Sequence, residues 1–200
     1  MLKKIIFILI FINMDTSYKN NSLNNIEKSD DYDFSIDISD ETRDRIKRHE
    51  GKENMPYQLS YEDQDGNIIK EDFWTVGRGH KLDINNNPFE INRKYSNKEV
   101  DELFEKDVDK AASSVDDLVD KSKVDPKAYN LMVEMAFQMG GEGLKKFEKT
   151  IASVNAGEYE DASKHMLFNY NDDGSVKGKT KWYNQTDTRA KELSDLMAKI

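Results

Sequence analysis

The chain has 200 residues, 34% of them charged, with a mean hydropathy of −0.86 and a net charge of −9. That length suits one domain with a tail, and the acidic balance argues against a phosphate-binding surface and so against nucleic acid as a partner. Without a cysteine, neither a disulfide framework nor thiol chemistry is open to it.

Residues 1–14, MLKKIIFILIFINM, place two lysines before eight consecutive apolar residues, Ile5 to Ile12. A bilayer span takes about 20 residues, so this run is too short to cross. It matches the apolar core of a signal peptide or a short anchor. The expectation is an exported protein, secreted or periplasmic, with at most a transient membrane contact through residues 1–14. Residues 15–37 are polar and acidic with no apolar period, and they read as a solvated linker. One folded, monomeric domain is expected over 38–200.

That domain opens with SDETRDRIKRHEG, a short helix with Ser39 or Asp40 as N-cap and Gly51 as its stop. Glu50 is then its last residue. From Met55 to Gly77, strand-like flanks surround the turn signal DQDG (Asp63 to Gly66), predicting one long antiparallel hairpin with a third short strand near Lys81–Ile84. DFWTVGRGH, Asp72 to His80, ends that hairpin in a Gly-x-Gly hinge, where a strand edge turns sharply into a loop. Ser96 and Glu99 form a capping box. Val100, Leu103, Phe104, Val108, Ala111, Val115 and Leu118 then keep a helical period through one long amphipathic helix. Asp125–Pro126 opens the next helix as N-cap and N1, and Gly140–Gly141 ends it. Shorter helices follow near 144–155, 158–168 and 187–199, with NYNDDGSVKGK read as a loop. A small sheet followed by a helical bundle is an α+β arrangement.

Six segments stand in order: HEG at 49–51, PY at 56–57, FWTVGRGH at 73–80, LFEKDVDKA at 103–111, FQMGGEG at 137–143 and WYNQTDTRA at 182–190. As a set they resemble the phage T4-type lysozyme family, the muramidases of phage endolysins. The resemblance spans about residues 39 to 198 and implies a lysozyme-like fold, a hairpin lobe and a mainly helical lobe joined by the long helix. It implies hydrolysis of the β-1,4 bond between N-acetylmuramic acid and N-acetylglucosamine in peptidoglycan, by inversion and with no cofactor or metal. Glu50 would be the general acid and Thr75 would hold the attacking water. His80 and Asp107 would pair to support the fold, and Arg189 would hold Glu50. Phe137, Gln138 and Trp182 would lie in or beside the sugar cleft, Trp182 being the better stacking surface and Phe137 the more core-like residue. Glycoside hydrolysis needs a carboxylic acid on one side of the bond and a positioned water on the other. A guanidinium beside a carboxylate favours the ionised form, so a general acid next to an arginine needs desolvation as a counterweight.

The sequence departs from the family at one position. Where the family has a catalytic aspartate, nine residues after the glutamate, this chain has Leu59, and the interval to Thr75 is lengthened by an insertion. Asp63 repeats the family's tyrosine-x-aspartate-x-x-glycine pattern in YEDQDG. Asp65 and Asp72 are alternatives, and the second carboxylate being absent is a fourth. The absence would favour a weak or inactive pseudo-lysozyme that binds peptidoglycan. A related glycosidase acting on chitin is a further alternative. Lys177, Lys179 and Lys181 form either a basic rim for an anionic polymer or a solvated loop.

Overall fold

The computed structural model describes residues 35–62, 67–70, 73–81 and 91–200. The expected signal segment, most of the linker, Asp63, Asp65 and Asp72 lie outside them. Helix α1 runs Asp40–Glu50. Ser39 caps it, its hydroxyl accepting from the Thr42 N–H at 3.2 Å, and acidic residues in the first turn with basic ones in the last suit the helix dipole. Upstream, Ile36 and Ile38 pack on the core, and the Asn130 side chain accepts from Ser39 N–H while donating to the Asp37 carbonyl.

The expected single long hairpin is two separate ladders. Strands β1 (Glu53–Tyr57), β4 (Thr75–Gly77) and β5 (His80–Lys81) form one antiparallel sheet in the order β1-β4-β5. Strands β2 (Ser60–Glu62) and β3 (Ile68–Lys70) form another. Pro56 sits in the edge strand β1, where a missing N–H is tolerated, and the β1–β4 register shifts between Glu53 and Tyr57. A third strand forms at His80–Lys81 and meets the expected stretch at Lys81, residues 82–84 lying outside the described residues.

Helix α2, Asn97–Asp116, begins at the expected capping box, both halves of which form. It buries Val100, Phe104, Val108, Ala111 and Val115 along one stripe. Phe104 and Val108 pack with Ile46 of α1 under the sheet, whereas Ala111 and Val115 belong to the larger cluster of the helical lobe. One helix therefore serves both lobes. A fully buried side chain such as Phe104 contributes about 2 kcal/mol to that junction.

Helix α3, Pro126–Met139, starts at Asp125 with Pro at N1 and is buried on nearly every side. It is the centre of a bundle completed by α4 (Gly141–Leu144), α5 (Glu148–Ala156), α6 (Tyr159–Leu167), α7 (Lys181–Thr186) and α8 (Thr188–Met197). The segment read as a loop is instead a hairpin, β6 (Phe168–Tyr170) against β7 (Val176–Lys179). Its turn carries Asp173–Gly174, with Gly174 at φ 81°. Helix α7, capped by the Thr180 hydroxyl, had no counterpart in the sequence reading. Among the described residues no helix is long and apolar enough to cross a membrane.

Candidate active site

The Gly-x-Gly hinge after β4 acts on the end of α1. Gly77 has φ 70°, and a Cβ there would lie 2.9 Å from Val100 Cγ1, so only glycine allows both the turn and the close approach to α2. The turn carries Arg78 back over α1, where its Nη1 donates to the carbonyl of Lys47 at 3.1 Å and of Gly51 at 2.6 Å. Those carbonyls flank Glu50, so the hinge fixes the backbone that presents it.

The Glu50 carboxylate meets Arg189 in the first turn of α8, with Arg189 Nη1 2.5 Å from Glu50 Oε1 and both side chains about 10% exposed. Arg189 has a second carboxylate beside it. Its Nε lies 3.4 Å from Oε1 of Glu134, a residue of α3 with no exposed surface. Glu134 Oε2 accepts from Arg45 Nε of α1 at 2.7 Å. The sequence reading missed Glu134 and Arg45. Their signal was a lone acid inside the apolar run LMVEMAF.

Tyr57 and Thr75 are direct cross-strand partners, so their side chains leave the same face. The Tyr57 phenol is pushed up to about 12, by burial first and then by the charges of Glu50 and Glu53. Tyr57 therefore feels the charge of Glu50 and shares a sheet face with Thr75. Thr75 is 1% exposed, and its Oγ1 makes no hydrogen bond within the protein. At the sheet's other edge, His80 Nδ1 lies 2.9 Å and 3.0 Å from the two carboxylate oxygens of Asp107, tying β5 to α2.

The expected sugar-contacting residues divide. Phe137 is half-buried and bridges the two core clusters, its ring 5.7 Å from that of Phe104. Gln138 is half-buried and accepts from Trp182 Nε1 at 2.6 Å. Trp182 itself is 1% exposed and meets the Phe147 ring edge-on, so the expectation that its face stacks on a sugar is corrected. The indole fills the core of the helical lobe and holds the Gln138 amide. Leu59, at the family's aspartate position, is half-buried just after β1.

Lys177 and Lys179 alternate along exposed β7, and Lys179 Nζ lies 4.1 Å over the Tyr183 ring and 4.0 Å from Asp187 Oδ1. Two shallow surface grooves, one along the outer side of α8 and one on α2, are not lined by Glu50 or Thr75. Among the described residues no group of three or more His, Asp or Glu could hold a metal ion.

A family model described as phage lysozyme matches residues 47–192. Among solved structures, the muramidase domain of SpmX from Asticaccaulis excentricus is similar, with a TM-score of 0.56 and 18% sequence identity. The match covers 82% of this chain and 98% of that one, and at such identity the likeness concerns the fold. No curated protein matches the chain.

Proposed function

This chain belongs to the phage lysozyme family, as a muramidase-type peptidoglycan hydrolase, and we propose that it cuts the β-1,4 bond between N-acetylmuramic acid and N-acetylglucosamine with Glu50 as general acid. The observation that carries this is the placement of Glu50. A nearly buried carboxyl is held by Arg189 and its charge reaches Tyr57, whose cross-strand partner Thr75 has a buried hydroxyl that no protein group engages. Glu50 would protonate the glycosidic oxygen as the bond breaks. Thr75 would orient a water for attack on the far side of the sugar, giving inversion, and Asp63 is the leading candidate for a second carboxylate acting on that water. The His80–Asp107 pair would keep the sheet at a fixed distance from α2, and Phe137 and Gln138 would contact the glycan from the helical lobe. The apolar segment 1–14 supports export to the wall, which fractionation of the producing cells would test.

Turbidity loss on purified peptidoglycan tests the chemistry. Glu50→Gln keeps the shape of the side chain and removes the proton, and should lower the rate by about 10²-fold or more. Equal rates for the two proteins would overturn the reading. Leu59 at the aspartate position favours one second reading, a peptidoglycan-binding module with little turnover. That protein would pellet with the wall without clearing it.

A further inference from the structure

Glu134 is fully buried, charged and outside the set of groups just assigned to the reaction. A buried carboxylate is costly unless paired, and a simple pair with Arg45 would satisfy it. Its geometry does more than that. Oε2 takes the Arg45 Nε–H, while Oε1 is turned toward Arg189 Nε at 3.4 Å, too poorly aligned to be a hydrogen bond. Arg189 therefore stands between two carboxylates, bonded to one and attracted by the other.

We propose that Glu134, with Arg45 as its counter-ion, is a positioning residue that shares the charge of Arg189 and so governs how firmly Arg189 grips Glu50. The inference rests on Glu50 being the general acid. The charged groups around this row are Glu50, Arg45 and Glu41 from α1, Glu134 from α3, Arg189 from α8, and Tyr57 with Glu53 from β1. Of these, Glu134 is the anion that faces Arg189 from the side away from Glu50. Removing its charge leaves the full field of Arg189 on Glu50 and favours a carboxylate there over the carboxylic acid that must give up a proton. Activity would then fade at a lower pH than in the native protein.

The experiment is a rate profile on purified peptidoglycan from about pH 4 to about pH 9 for the native protein, Glu134→Gln and the double variant Arg45→Met/Glu134→Gln. Breaking one half of a buried pair can unfold a protein, whereas replacing both halves is often tolerated, so the double variant decides if the single one does not fold. The expected result is an alkaline limb moved down by about one pH unit, with activity near pH 5 within about twofold of native. A merely structural Glu134 would lower all rates by one factor and leave the limb in place, and that outcome overturns the inference. Glu50→Gln, run beside them, separates the failures. If it is as active as the native protein, the general-acid reading fails; if it is inactive and the limb does not move, only the role of Glu134 fails.

Discussion

Arg189 Nη1 and Glu50 Oε1 lie 2.5 Å apart although 139 residues separate them, and this contact joins the last residue of α1 to the first turn of α8. Charge-assisted bonds with little solvent around them are the strong ones. Arg189→Ala would leave Glu50 and Glu134 facing each other's side of the row without the cation between them. The expected cost is about 3 kcal/mol, read as a lower urea midpoint with an unchanged slope. Arg189→Lys should recover only part of it, because an ammonium cannot present the guanidinium fork to two carboxylates at once. A midpoint unchanged in Arg189→Ala would show that the pair contributes little.

Thr75 separates stability from activity. Its hydroxyl is buried and unpaired within the protein, and such a group lowers stability relative to an apolar one of the same shape. Thr75→Val should leave the stability to urea equal or higher, by up to about 1 kcal/mol, while clearing of peptidoglycan falls about tenfold or more. A variant with native turnover would remove Thr75 from the handling of water.

Local signals were the legible ones. Ser39, the Ser96–Glu99 box and Asp125–Pro126 each act within one helical turn, and all three helices start where those residues stand. The β6–β7 hairpin was missed because its strands are only three and four residues long, too short for an alternating pattern to stand out, although Asp173–Gly174 marked the turn. The long hairpin was overread for a different reason. Propensity reports which residues suit a strand but not which strand each one pairs with, and here β1 pairs with β4 while β2 pairs with β3 in a separate ladder. Trp182 reads alike in a cleft or a core, and what decides is Gln138, 44 residues away. The same limit hid the Glu134–Arg45 pair, whose members come from different helices, while Glu50 and Arg189 were recognised only through the resemblance to phage lysozymes.

Tyr57 gives the fold an alkaline weakness. Its phenol ionises at about 12 in the folded protein against 10.0 for the free group. The shift is upward, so the stabilisation is fully present below about pH 10 and is lost as pH rises toward about 12, where the unfolded chain has already released the proton. Tyr129 is pushed up as well, by burial and by Asp116, so it adds to the loss in the same window. Urea midpoints taken between about pH 9 and about pH 12 should fall, and Tyr57→Phe should fall less steeply. Parallel curves for the two proteins would mean that Glu50 and burial do not act on this phenol.

Asp187 holds the junction from which Arg189 is aimed. It is the one non-glycine among the described residues at positive φ, with φ 24° and ψ −85°, and it links α7 to α8 two residues before Arg189. A backbone so placed costs of order 1–3 kcal/mol for a residue with a Cβ. Asp187→Gly removes most of that strain and returns a smaller part through the freer unfolded chain. The contact of Asp187 with Lys179, at 4.0 Å between exposed side chains, offers little to offset it. The expected net gain is about 1 kcal/mol, or a melting temperature higher by about 2–4 °C for a domain of this size. Asp187→Val should move the other way, since a β-branched side chain tolerates this region worst. If glycine lowered the melting temperature and valine did not, the turn would not be strained, and the direction of Arg189 would have to be set by Glu134 and Glu50 alone.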